Sequence, residues 1–308
     1  MKKCAAFWNH TNLRSENRIY PCCRFKEPVQ SFNGDVGSIL HSDQYEILRN
    51  TDVTTLSSCA KCMYEEDNGK ESLRQQFNKQ YNIDKVELQY FEVGFDNICD
   101  LACDGCWGEW SHTWALKNNP TATLKQVIVS TDELFNIPSS VNKVLFLGGE
   151  PLMTNRHRRF LKNLKNLENL EVIYNTNGMH KLQQEDFDIL TKCKSVKFIV
   201  SVDGYNTLNE TVRSNSIWSI VVKTIEQISD KFDMTIHTTI HKNNWHGIAD
   251  MHAWVSKNNY AWTTNILTYP LHLDIVNLTS LEKESFANML GEYNIPNSKY
   301  IKEHLNGS

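Results

Sequence analysis

The chain has no apolar run near the roughly 20 residues that cross a bilayer, and no apolar core follows Met1, Lys2 and Lys3. Neither a membrane span nor a secretory signal is therefore expected. Charge of one sign is also scarce. Thirty-two Lys and Arg stand against 36 Asp and Glu, a formal net charge of −4. That excludes broad, charge-driven nucleic-acid binding and leaves only a local basic patch as a route to it. No internal repeat or low-complexity segment stands out. With 40% hydrophobic and 22% charged residues, the chain has the material for a buried core and is not a disordered polymer. Its 308 residues suit one large domain plus a small one.

Cysteine is plentiful and unevenly spread. Of nine, all but Cys193 lie before residue 107: Cys4, Cys22, Cys23, Cys59, Cys62, Cys99, Cys103 and Cys106. An odd number without a signal fits a reducing, cytoplasmic compartment, where clustered thiols more often hold metal than form disulfides. Cys193 stands alone and reads as a small buried apolar residue.

Residues 1–80 carry five cysteines and few apolar residues, so they read as a small metal-organised domain. From about residue 86 short apolar strands alternate with helical stretches. The strand candidates are 86–95, 143–149, 170–177, 196–203, 234–241 and 263–269. The helical stretches are 125–135, 155–167, 183–193, 216–228 and 247–258. Such alternation implies right-handed crossovers and a parallel sheet. Six units are too few for a closed eight-stranded barrel. The expected fold is α/β, a partial (βα)6 TIM-like barrel over 81–275, with its site at the C-terminal ends of the strands. Residues 276–308 read as one amphipathic helix and a polar end.

Directly after the first barrel strand, Cys99, Cys103 and Cys106 form CxxxCxxC. Such a tight loop can turn three thiolates toward one cubane. An ordinary [4Fe–4S] site takes four cysteines, so three local ones leave an iron open to chelate a small molecule. A zinc knuckle completed by His112 is compatible with the same spacing. Trp107, next to the last cysteine, suits either stacking on an adenine or core filling. Gly148-Gly149-Glu150-Pro151 ends the second strand; its glycines let the backbone pass close to a ligand, and Glu150 offers a carboxylate. Asn177 at the end of the third strand suits a hydrogen bond to a ribose or substrate, or turn chemistry with Gly178. Ser201 and Asp203 close the fourth strand. Arg156, His157, Arg158, Arg159, Lys162 and Lys165 make a basic helix, read as a solvated face or as a dock for an acidic peptide or nucleic-acid phosphate.

Cys99xxxCys103xxCys106, the GGEP at 148–151 and the SVDG at 201–204, in that order after successive strands, resemble the radical S-adenosylmethionine superfamily over about residues 86–270. The resemblance implies a reduced [4Fe–4S] cluster on those cysteines. Cleavage of S-adenosylmethionine there gives a 5′-deoxyadenosyl radical, which abstracts hydrogen from a substrate. It implies that Trp107, Gly148, Gly149, Glu150, Asn177, Ser201, Asp203 and Arg213 line the cofactor, with Arg213 facing its carboxylate. It also implies an electron donor such as a flavodoxin or ferredoxin.

The N-terminal segment resembles the SPASM/twitch auxiliary-cluster domains of many such enzymes. It carries the run Cys59, Cys62, Glu66, Gly69, Ser72 and Arg74. In most relatives that domain follows the barrel; here it precedes it. The implied ligands of a second [4Fe–4S] cluster are Cys4, Cys22, Cys59 and Cys62. Cys22 and Cys23 are not both expected as ligands, because adjacent side chains diverge in extended chain, and Cys22 is favoured. Zinc, or plain structural cysteines, are the alternatives. Relatives with such domains often act on peptides or protein side chains. Small molecules and nucleic acids stay open as substrates, as does a non-catalytic metalloprotein.

Overall fold

The computed structural model describes residues 1–67, 69–127 and 137–307. The helix expected over 125–135 falls mainly on residues 128–136, outside the described residues. The described strands are β1 (His10–Arg14), β2 (Arg18–Tyr20), β3 (Gln30–Ser31), β4 (Tyr90–Val93), β5 (Ala102–Cys103) and β6 (Lys143–Phe146). They continue with β7 (Glu171–Thr176), β8 (Ser195–Ser201), β9 (Arg213–Ser214), β10 (Asp233–Ile240) and β11 (Ala261–Ile266). Six of these, β4, β6, β7, β8, β10 and β11, fall on the six expected barrel strands. With the intervening helices they make the α/β, partial TIM-like barrel.

The chain divides into two compact units. The first comprises Met1–Asn97, Leu124–Ile173 and Glu185–Val196. Its strands run in the order β3-β2-β1-β4-β6. β4 is parallel to β6, with Tyr90 opposite Lys143 and Val93 opposite Phe146. All four residues of β4 are buried, as expected of a parallel strand covered on both faces.

No strand is expected before residue 86, yet β1 lies parallel to β4, with His10 opposite Tyr90 and Leu13 opposite Val93. Its sequence, His-Thr-Asn-Leu-Arg, hides the strand because it is polar, although all five residues are buried. The polar groups find partners. Asn12 donates to Glu92 at 2.6 Å, the Tyr45 hydroxyl donates to Thr11 at 2.9 Å, and His10 Nδ1 lies 2.8 Å from the Pro21 carbonyl. Buried polar groups persist in proteins when they are paired in this way.

The second unit comprises Ile98–Thr123, Tyr174–Gln184 and Lys197–Ser308. Here β10 lies between β8 and β11, parallel to both; His237 is opposite Ser201 on one side and Thr263 on the other. The helix Trp218–Ser229 buries Val221, Ile225 and Ile228, an i, i+4, i+7 stripe. The polar end expected after a single C-terminal helix is instead a second helix. Ser280–Glu292 starts at a Thr279/Glu282 capping box, and Ser298–Leu305 follows it. Ile301 and Leu305, one turn apart, are buried with Ile240, Ile266 and Phe286. Two apolar residues on one face suffice to dock a short helix whose composition is otherwise polar. Among the described residues no helix is long and apolar enough to cross a membrane.

Candidate active site and cysteine pocket

In the second unit the three-cysteine loop is pinned from two directions. Ser111, the N-cap of the helix His112–Asn118, donates its hydroxyl to the Leu101 carbonyl at 2.6 Å, and Thr113 donates to the Cys99 carbonyl at 2.6 Å. Cys103 sits in β5, opposite Arg213 of β9. That pairing places a guanidinium from far along the chain beside the loop.

Arg213 Nη1 donates to Asp203 at 2.6 Å, while its buried Nε has no hydrogen-bond partner. Burial acts to lower the Arg213 pKa, yet Cys103 and Asp203 hold it above its ordinary value. Burial pushes the Cys103 thiol up, and pushes Cys106 up to about 12 with Cys103 adding to it; Arg213 pulls both down. Asp203 is itself fixed, accepting from the Thr239 amide at 2.8 Å.

Asn177 donates to Asp100 at 2.9 Å and lies 3.8 Å from the Cys99 sulfur. His180 Nε2 lies 3.0 Å from the other Asp100 oxygen. Burial tends to raise the Asp100 pKa, but His180 and Asn177 hold it below the ordinary carboxylate value. Asp100 and His180 escape motif reading, although Asp100 lies inside the CxxxCxxC loop and His180 two residues past Asn177-Gly178. Trp107 is 41% exposed and meets Trp110 edge-on, so it is not core filling. Ser201 is half-buried at the end of β8.

In the first unit, Gly148 and Gly149 have φ of 79° and 51°, the left-handed region that a side chain disfavours. Glu150 is buried and accepts from the Leu152 amide at 3.0 Å. The basic helix, Arg156–Lys162, is largely neutralised. Arg156 donates to the Phe95 and Val127 carbonyls, each at 2.9 Å. Arg158 pairs with Asp186 at 2.6 Å, and Lys162 pairs with Glu185. Cys193 is half-buried, its sulfur 3.9 Å from the Ile189 carbonyl one turn back.

The N-terminal cysteines meet in the first unit. Cys4, Cys22, Cys59 and Cys62 line one small cavity with Phe7, Arg24, Leu73, Arg74 and Phe77. Cys23 is exposed and does not line it. Of the run Glu66, Gly69, Ser72, Arg74, only Arg74 lines the cavity, and Glu66 and Ser72 are tied to one another behind it. Glu66 accepts from Ser72 at 2.7 Å and from Arg74 at 2.8 and 2.6 Å, while Arg74 also reaches the Lys3 carbonyl at 2.8 Å. Arg74 holds the Glu66 carboxyl below its ordinary pKa of 4.5. Burial pushes Cys4 up to about 12 and Cys59 to about 11, and Cys22 well above 9.0. Thiols so placed stay protonated until a metal centre displaces the protons.

Among the described residues no three His, Cys, Asp or Glu side chains converge as they would on a single metal ion. Zinc needs its four ligands around one centre. A cubane takes one thiolate on each iron, so its ligands stand apart. Four thiols spaced around a cavity fit that donor set.

A family model described as the radical SAM superfamily matches residues 95–255, more than half of the chain, and the protein belongs to that superfamily. A search of curated proteins finds no match. Among solved structures, native anSMEcpe with bound AdoMet is similar with a TM-score of 0.51 at 16% identity, over 71% of this chain and 62% of that one. That likeness shows the fold. Streptococcus suis SuiB bound to S-adenosylmethionine gives a TM-score of 0.43 at 15% identity, over 83% of this chain and 52% of that one. The present chain thus spans less than two thirds of the length of either.

Proposed function

We propose that Cys99, Cys103 and Cys106 carry a catalytic [4Fe–4S] cluster, that the chain binds S-adenosylmethionine beside it, and that the substrate is a peptide or protein side chain. When bound, the reduced cluster and S-adenosylmethionine together supply a 5′-deoxyadenosyl radical that takes a hydrogen atom from the substrate.

The observation that carries this reading is the pinned loop with three thiols beside Arg213. Three cysteines leave one iron for a small molecule. The buried, unpartnered Arg213 Nε supplies a donor for an anionic group, since an unpaired buried donor is costly unless a ligand satisfies it. Asp203 orients that arginine. Within the second unit Ser201, Asn177 and Trp107 supply polar and aromatic contacts, while Gly148, Gly149 and Glu150 of the first unit are assigned to the cofactor by the family resemblance alone. Cys4, Cys22, Cys59 and Cys62 hold an auxiliary cluster. In this reading residues 1–80 are the auxiliary module, 81–275 the radical core and 276–308 a helical tail. Electrons arrive from a flavodoxin- or ferredoxin-like donor.

The peptide class rests on the twitch-like run at Cys59–Arg74. The neutralised helix Arg156–Lys162 speaks against a nucleic-acid phosphate, because such binding scales with free cationic charge. The test is anaerobic incubation of the iron-reconstituted protein with S-adenosylmethionine and dithionite. 5′-Deoxyadenosine is expected; its absence from protein with full iron content overturns the reading.

A further inference from the structure

The helix Ala60–Asp67 carries Cys62 and, in its last turn, two successive acids, Glu65 and Glu66. Glu65 is buried and Glu66 half-buried, and each holds an arginine that lines the four-cysteine cavity. Glu66 holds Arg74, as the sequence run already suggests. The second pair is hidden from the sequence. Arg24, two residues past Cys22, grips Glu65 with both ends of its fork, at 2.5 and 3.2 Å.

The two arginines use their donors differently. Arg74 spends them on Glu66 and the Lys3 carbonyl. Arg24 Nη1 also reaches the Cys62 sulfur, at 3.4 Å. A guanidinium carries its charge at any ordinary pH, and Glu65 pairs with it here.

Resting on the auxiliary-cluster reading, we propose that Arg24 is a positioning and tuning residue for that cluster: it donates an N–H···S hydrogen bond to the Cys62 ligand, and Glu65 fixes the position and offsets part of the charge of its guanidinium. Reduction adds one negative charge to the cluster. A hydrogen bond to a ligand sulfur and a nearby cation stabilise that charge and raise the reduction potential, whereas a carboxylate behind the cation lowers it. Arg24 and Glu65 therefore pull the potential in opposite directions through one contact.

The test uses the full chain with Cys99, Cys103 and Cys106 all replaced by Ala, reconstituted anaerobically, so that one cluster remains to be read by EPR-monitored redox titration. R24Q, added to that background, is expected to weaken the one-electron reduction equilibrium at least tenfold, a shift of about 59 mV toward negative potential. R24K, which keeps the charge and loses the fork, falls between R24Q and the parent. E65Q, which removes the charge but keeps an acceptor for Arg24, shifts the equilibrium toward reduction. A mutation that merely loosens the pocket does not produce shifts of opposite sign. R24Q at the parent's potential with unchanged iron overturns the proposal, as does an E65Q shift that is absent or negative. If R24Q fails to fold or to take up iron, the E65Q shift alone decides. A triple-alanine parent that binds no iron refutes the auxiliary cluster itself, and the tuning role with it.

Discussion

Cys99, Cys103 and Cys106 share one loop, which Ser111 and Thr113 pin locally. Cys4, Cys22, Cys59 and Cys62 come from three separate segments and meet only around a cavity. The loop has one half-buried arginine beside it, Arg213, whose buried Nε is left over as a donor. The pocket has two, Arg24 and Arg74, each locked to its own glutamate. In the proposed reading the loop keeps a donor for a further ligand, whereas the pocket's arginines use theirs within the protein. Identical thiols serve an open or a closed site according to how many donors the surroundings leave unused.

The largest expected contrast comes from deleting either set of thiols. The C99A/C103A/C106A variant should lose 5′-deoxyadenosine formation entirely, and its iron should fall from about eight to about four per chain on the two-cubane assignment. The C4A/C22A/C59A/C62A variant should lose the same amount of iron yet still cleave S-adenosylmethionine. If both variants lose cleavage alike, the two sites are not distinct in role, and the contrast fails.

A smaller effect probes the closed pocket. R74A leaves the half-buried Glu66 with only Ser72 and Lys2 as partners and should cost about 2 kcal/mol in denaturant unfolding. Because the folded Glu66 pKa lies below its ordinary 4.5, this contribution is present above pH 4.5 and is lost as the pH falls through the folded value. R74Q should flatten the pH dependence of Tm in that acidic window; an unchanged slope would show that Arg74 does not govern it. Smaller still, G149A should cost about 1–2 kcal/mol for a side chain in the left-handed region, read as a lowered Tm. The smallest effect is expected for R158A/R159A. RNA binding at low salt should be weak and unchanged by the substitutions, since Arg158 already faces Asp186 and Glu185. A marked, salt-dependent loss would reopen the nucleic-acid reading.

The six barrel strands were legible because each is a short apolar run bounded by polar turns. β1 was not, because its burial depends on Asn12 meeting Glu92 and Thr11 meeting Tyr45, partners far away in sequence. The second C-terminal helix was missed for a related reason: only Ile301 and Leu305 mark its buried face. In the site, the cysteine loop and GGEP are local signals whose spacing carries the chemistry. Arg213 was visible only through a family resemblance, and its pairing with Asp203 not at all. Arg24 and Glu65 carry no local signature, since they stand 41 positions apart.

The amino-acid sequence by itself determined the strand–helix alternation, the three-thiol loop and the paired glycines at the second strand's end, because each depends on neighbours a few residues apart. Tertiary structure alone decided that Arg24 touches sulfur, that Arg213 pairs with Asp203, and that the basic helix is neutralised. Those outcomes turn on which distant side chains share a buried space, where unpaired charge is too costly to persist.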